Sequence, residues 1–478
     1  MFDGQRARAL ATLAGAVALV LIVVAFYVPT IANPGFFNHD EWQRYDHLVR
    51  YGFLDYALQY GRILAGPDFG YPVRPLGFLQ QGVSSIWMGT RPFVPHLIDV
   101  LHHATVALLF AAVLLRSGLP RTSALGCVLL FVVSPLATVS TGWVGASFDR
   151  WYAAFFLVAA YGAVSLARGL GRPGLNLVYV GAGTVLGLLS KETAVVLPGA
   201  LCLAWFAARR SGGGGQRAGE RWPFIGAAMV AGVAAIPLLA YLAVRAPAIV
   251  ASMHGQGGAY APSPGNVPAN LAMYIAQPFL PGAVELESAR WLPASLIAAA
   301  FALHAMVWAA FWRRYGAVNA LLVCAAYFVL LLPVLPLHFA GAHYLYASGI
   351  PFSIMVGLLL FPVGAPAPHP AARAAMVGVF ALLAVRSLDI QVVMYDYGVC
   401  ENRFLNTYLP QARAARAQGA DQVQVSVDAD AMGYVAQRAL FGRERFSAGG
   451  EIPTVVGGPD VPGAARLRMG ADCRARAE

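Results

Sequence analysis

The chain has 478 residues, 58% of them hydrophobic and only 12% charged, with a mean hydropathy of +0.61. That balance excludes an ordinary soluble globular domain. The net charge of +10 invites a nucleic-acid partner, but the arginines are scattered singly and in pairs between apolar runs, a pattern that belongs to membrane topology instead.

Apolar runs of about 17–23 residues recur, the length that crosses a ~30 Å hydrocarbon core. Backbone groups in lipid must be satisfied within each run, so each is predicted as a helix. About eleven such spans are read in chain order: residues 9–31, 93–115, 122–140, 151–166, 175–189, 193–208, 223–244, 293–312, 318–335, 346–362 and 374–388. The first is too long for a signal peptide and lacks a small-residue cleavage site, so it is expected to stay as an anchor. The fold class is therefore an all-α polytopic membrane protein over residues 1–388, followed by a small α/β region over 389–478. A helix at 402–418, a strand at 422–427 and a helix at 429–441 are expected in that tail.

With the N-terminus in the cytoplasm, alternate connections carry Arg6 and Arg8, Arg116 and Arg121, Arg168 and Arg172, Arg209, Arg210, Arg217 and Arg221, Arg313 and Arg314, and Arg373. This is the positive-inside pattern, and it puts the C-terminus outside. The glycine run Gly212–Gly215 is a flexible linker. Two long loops, 32–92 and 245–292, then lie on the outer face with the tail. The first alternates aromatic, basic and acidic residues from Trp42 to Tyr56, which suits an interfacial helix. Cys127, Cys202 and Cys324 fall inside spans and read as apolar packers. Cys400 and Cys473 share the tail, in an oxidising compartment on this topology, so either a disulfide or two free thiols fits.

Candidate chemistry gathers on the outer side, where mixed charge beside lipid is costly unless paired or used. Asp40 and Glu41 are either a solvated loop pair or two carboxylates dividing the work of general base and orienter or metal ligand. Arg74 sits in a Pro-flanked segment returning to the membrane, as an interfacial anchor or a phosphate ligand. Lys191 is the only lysine in the chain. It either pairs with Glu192 at a helix end or acts as a compact cation for a phosphate. Asp149 and Arg150 read as a local ion pair in an outer turn over residues 143–150. Asp99 shares a helical face with His102 or His103, which fits a buried polar cluster. His343 opens His343-Tyr344-Leu345-Tyr346 at a span mouth, where interfacial anchoring and substrate contact both fit. Glu285, Glu287 and His338 add further outer charge. No Gly-rich phosphate loop, HExxH or paired CxxC occurs, so nucleotide and structural-zinc sites are unsupported.

Taken in order, Asp40-Glu41, Arg74-Pro75-Leu76, His96-Leu97-Ile98-Asp99 with His102-His103-Ala104, Trp143-Val144-Gly145 with Asp149, Lys191-Glu192-Thr193, Leu332-Pro333 and His343-Tyr344-Leu345-Tyr346 resemble the GT-C superfamily of integral-membrane glycosyltransferases. The branch containing the protein O-mannosyltransferases and their bacterial relatives is the nearest echo, although an arginine often stands where this chain has His343. The resemblance implies a GT-C-like helical bundle, a polyprenyl-phosphate sugar donor and inversion at the anomeric carbon.

Expected roles follow: Asp40 as base, Glu41 as orienter or ligand of a divalent cation (Mg or Mn), and Arg74 and Lys191 on the leaving phosphate. Asp149, Arg150, Glu192, His343, Asp99 and His103 support the site or contact substrate. The expected partners are the lipid-linked donor, a glycan, lipid-linked or protein acceptor, and membrane lipids, with no nucleic acid. The expected location is a bacterial inner (plasma) membrane. A transporter or flippase for a lipid-linked sugar and a non-catalytic scaffold are the competing readings, the former requiring ionisable groups or broken helices near the midplane.

Overall fold

The protein is seen in a computed structural model that describes residues 2–36, 41–42, 45, 48, 52–56, 58, 74–211, 223–254, 262–280, 293–364, 370–428, 433–446, 454–458 and 461–478. It is predominantly helical, and its helices follow the apolar runs. The N-terminal α1 (Phe2–Phe26) is followed by the short α2 (Val28–Ile31), then α3 (Pro75–Met88) and α4 (Phe93–Arg116). The next apolar run is bent by 53° between α5 (Arg121–Val132) and α6 (Pro135–Gly142). Pro135 cannot continue the hydrogen-bond ladder of α5, and the Ser134 hydroxyl restarts it by accepting from the Leu136 N–H at 3.3 Å.

Next come α7 (Ser147–Ala167), α8 (Pro173–Leu188), a short turn of 3-10 helix (Glu192–Val196), α9 (Leu197–Ser211), α10 (Pro223–His254) and α11 (Val267–Ala276). The series ends with α12 (Ala294–Tyr315), α13 (Ala317–Leu331), α14 (Gly349–Leu360), α15 (Pro370–Ala417) and α16 (Gly433–Phe446). Proline opens α3, α8, α10 and α15 at the position where its missing N–H costs nothing. Among the described residues, six helices are long and apolar enough to cross a membrane, the bent α5–α6 pair makes a seventh if it is one span, and four shorter apolar helices accompany them.

Two boundaries differ from the sequence reading. The helix expected to start at residue 151 starts at Ser147, so Asp149 and Arg150 stand in its first turn instead of a loop. A carboxylate is favoured there because it faces the unpaired N–H groups and positive end of the helix dipole. The last span and the tail helix are one helix, α15, of 48 residues, and the expected division at 388/389 falls inside it. Asp389 looks like the end of an apolar run, but Arg386 one turn earlier pairs with it at 2.8 Å, so the charge is accommodated without a break.

Beyond the membrane helices lies a sheet of β1 (Val423–Val427), β2 (Thr454–Val456), β3 (Ala465–Met469) and β4 (Ala475–Ala477), in the order β2-β1-β3-β4. Strand β1 runs parallel to β2 and β3, and β4 is antiparallel to β3. Cys400 on α15 is disulfide-bonded to Cys473, with Cα atoms 5.2 Å apart. The core under this sheet takes Phe404, Tyr408, Val423, Val425, Leu467 and Met469 together with Phe36, Trp42 and Val144 from the membrane region.

The bundle has two chemically distinct ends. Arg116, Arg209, Arg210, Arg313 and Arg314 lie in the last turns of α4, α9 and α12, where cations complement the helix dipole. Arg74, Asp99, Asp149, Arg150, Lys191 and Glu192 lie at the opposite end. Asp99 and Arg116, on the same helix, are about 25 Å apart at 1.5 Å per residue.

Candidate functional site

Three ion pairs from separate chain segments form the mixed-charge end. Innermost, Arg150 Nη2 donates to Asp99 Oδ1, with both side chains fully buried. Gln80 of α3 donates its amide to the same Asp99 oxygen at 2.7 Å, and its Oε1 meets His102 Nδ1 at 3.0 Å. Next, Lys191 Nζ donates to Asp149 Oδ1, again buried, with side-chain exposures of 2% and 6%. The ammonium group also stands 4.4 Å from the centroid of the Tyr344 ring, a cation–π contact. Outermost, Arg74 Nε donates to Glu192 Oε2 at 2.8 Å while Nη2 reaches Oε1. This pair is the open one, 15% and 46% exposed. The Arg74 guanidinium also lies over the Phe148 ring at 4.8 Å.

The local geometry explains these positions. Leu188 ends α8, and Lys191 sits in extended backbone (φ −159°, ψ 136°) before the 3-10 turn. That places Lys191 facing α7 while Glu192 turns outward. Arg74 is the residue before Pro75 and stands at the N-cap of α3 with φ −130° and ψ 59°, outside the helical region that a pre-proline residue avoids. Burial pulls the Lys191 ammonium below the ordinary lysine range, opposed by the charge of Asp149. Burial, reinforced by the charges of Lys191 and Arg74, holds His343 well below the usual imidazole range. The same environment disfavours the charged imidazolium. His343 packs edge-on against Trp143 at 4.9 Å, and Ser140 Oγ donates to its carbonyl at 2.9 Å.

The remaining expected residues divide between neighbouring networks. His103 Nδ1 is 2.7 Å from the Tyr346 hydroxyl and packs on Tyr27 and Phe131, a buried polar cluster inside the bundle. Glu41 is 2% exposed, and its Oε1 accepts from the Gly145 N–H at 3.4 Å. It therefore borders the Trp143–Ser147 turn that leads into Asp149. Asp40, Glu285 and Glu287 lie outside the described residues. Among the described residues, no group of three or more His, Cys, Asp or Glu side chains could hold a metal ion.

No family model matches the chain, and no curated protein sequence matches it. Among solved structures it is similar to ArnT from Cupriavidus metallidurans in the apo state, with 11% identity, a TM-score of 0.47, and coverage of 94% of this chain and 86% of that one. Against ArnT bound to undecaprenyl phosphate the figures are 13%, 0.45, 96% and 93%. Against the apo Archaeoglobus fulgidus oligosaccharyltransferase they are 10%, 0.43, 92% and 64%.

Some side chains of the site escaped sequence reasoning: Gln80 tethers Asp99 and His102, and Phe148 underlies Arg74. Tyr344, read only as part of the aromatic segment at a span mouth, covers Lys191. Arg245, near the C-terminal end of α10, hydrogen-bonds Tyr241 within electrostatic reach of Glu192 and Arg74. A glutamine, a phenylalanine and an arginine inside or beside apolar helices carry no spacing signal. Only Arg245, an arginine on the side where mixed charge collects, could have been singled out in advance.

Proposed function

We propose that the protein transfers a sugar from a polyprenyl-phosphate donor to an acceptor hydroxyl on the extracytoplasmic face, with inversion at the anomeric carbon. The observation that carries this reading is the convergence of the only lysine, Arg74, Asp149, Glu192 and Tyr344 at one end of a membrane bundle, although they come from four distant stretches of sequence. Arg74, held by Glu192 and partly exposed, meets the donor phosphate. Lys191, fixed by Asp149 and Tyr344, supports it with charge from below. In the reaction the acceptor oxygen attacks C1 as the C1–O bond to phosphate breaks. The hydroxyl proton passes to Asp40, and the phosphate leaves on the polyprenol with its added negative charge facing Arg74.

Orientation supports the same reading. The six long helices, the bent pair and the four shorter apolar helices make eleven crossings if each traverses the bilayer. An odd number puts the two termini on opposite sides, and the arginine end faces the cytoplasm. The Cys400–Cys473 disulfide then lies in the oxidising compartment where such bonds persist. A divalent cation at Asp40 and Glu41 belongs to the proposal as an optional aid to acceptor orientation.

The test uses purified protein in liposomes with a panel of polyprenyl-phosphate sugars, following the polyprenyl phosphate released and the mass gained by acceptor. Asp40→Asn is expected to abolish transfer with donor binding retained, and Arg74→Ala to weaken turnover by about 10²–10³, the usual cost of one preorganised charge partner. Wild-type turnover in Asp40→Asn removes Asp40 as base. Movement of lipid-linked sugar with no covalent product removes the transferase reading.

A further inference from the structure

At the arginine end, α4, α7, α9, α13 and α14 enclose a cavity of about 430 Å³, within the ~300–1,000 Å³ usual for sites that bury a small organic ligand. Its walls are apolar, with Phe110, Phe156, Ala204, Leu322 and Ile354 among them. Where the cavity reaches the helix termini the lining turns polar, to Ser117, Arg210, Tyr315 and Asn319. Two further guanidinium groups border it. Arg168 lies against Gly118, where an added Cβ would meet its Nη2 at 2.8 Å. Arg314 adjoins Tyr315, whose hydroxyl donates to the Leu358 carbonyl at 2.7 Å.

Arg168 Nη1 and Arg314 Nε and Nη2 are buried with no hydrogen-bond partner among the described residues. A buried donor left unsatisfied costs roughly 1–3 kcal/mol, and nothing apolar can relieve it. No described carboxylate pairs with Arg168, Arg210 or Arg314. A ligand that brings anionic oxygens to the cavity rim and hydrocarbon to its interior matches both parts of this lining. Basic pockets between membrane helices on the cytoplasmic side match that description.

We propose that this cavity is a binding site for an anionic diacyl phospholipid. One acyl chain fills the apolar interior, and the phosphodiester oxygens accept from Arg168, Arg210 and Arg314. The site stands at the end of the bundle away from Arg74 and Lys191. A polyprenyl phosphate bound for transfer is therefore not its occupant, and the proposal holds whether or not the transfer reaction does.

The experiment delipidates the full-length protein in mild detergent. It is then incubated with phosphatidylglycerol, phosphatidylcholine or undecaprenyl phosphate, and bound lipid is counted by native mass spectrometry alongside the melting temperature. Wild type is expected to retain phosphatidylglycerol at least tenfold over phosphatidylcholine and to gain thermal stability only from the former. An Arg168→Gln, Arg210→Gln double variant is expected to lose the headgroup preference while still eluting as a monodisperse, helical protein. Ala204→Phe, which fills the cavity from α9, is expected to lose the retained lipid with all the arginines in place. Equal retention of both phospholipids by wild type, unchanged retention in the two variants, or preferential retention of undecaprenyl phosphate abolished by Ala204→Phe would each overturn the proposal.

Discussion

At the scale of single residues, the three ion pairs differ in what they do because they differ in burial. Arg150 and Asp99 have no exposed side-chain surface, so each desolvated charge depends on the other. Removing one partner of a buried pair typically costs about 3–5 kcal/mol, whereas an apolar replacement of both is often neutral. Arg150→Met is accordingly expected to destabilise the protein by about 3–5 kcal/mol and Asp99→Leu, Arg150→Met by much less, read from denaturant unfolding in detergent. Arg74 and Glu192 are partly open to solvent, and pairs of that kind contribute only about 0–1 kcal/mol. Arg74→Ala should thus leave the melting curve nearly unmoved while transfer falls, which separates a working cation from a structural one. Sequence reading found all six charged members of these pairs. It paired Asp149 with Arg150 and Lys191 with Glu192, because adjacency is the only proximity a sequence displays. The fold instead joins residues 42, 51 and 118 positions apart, since neighbours on an extended turn or a helix point to different sides.

At the scale of elements, close helix contact rather than hydrophobicity distinguishes the antiparallel pair α7 and α8. Lipid tails are as apolar as leucine, so membrane helices associate where small residues let backbones approach. Gly183 on α8 is such a point: a Cβ added there would come within 2.7 Å of the Ala159 nitrogen and the Phe155 carbonyl oxygen. Gly183→Leu is expected to lower stability by about 1–3 kcal/mol, the usual cost of overpacking, with a matching drop in the thermal midpoint of the detergent-solubilised protein. Transfer should fall with it, because α7 carries Asp149 and α8 leads to Lys191. The helices themselves were legible, since an apolar run needs only its own composition to declare itself. Their exact ends were not. Ser147 to Arg150 read as a loop because two charges precede Trp151, and the structure gives those charges a helix N-terminus and buried partners.

Across the whole molecule, the tail packs against described residues Phe36 and Trp42 of the segment after α2. Helix α15, at 48 residues, spans about 72 Å at 1.5 Å per residue, far beyond a ~30 Å hydrocarbon core. Its C-terminal half carries Glu401, which accepts from the Phe36 N–H at 2.5 Å and from the Trp42 indole N–H. Next to Glu41, the chain is therefore gripped by the helix that anchors the C-terminal sheet. Cys400 precedes Glu401 and is bonded to Cys473, closing a loop with a sequence separation of 73. Cys400→Ser, Cys473→Ser is expected to destabilise the C-terminal unit by about 2–5 kcal/mol, seen as faster limited proteolysis beyond residue 400. Unchanged cleavage rates would show that packing alone holds this unit in place.

Membrane character, the run of helices, the arginine-rich end and the small α/β tail are all written locally. Each depends on the composition of one segment and its immediate flanks, and lipid imposes the same demand on every segment. The partners of Lys191, Arg74 and Arg150, the burial of His343, the cavity among the arginines and the contact of the tail with Phe36 and Trp42 came only from tertiary structure. Those properties are set by which faces of distant helices meet, and the free energy of a charge or a cavity depends on its neighbours in space.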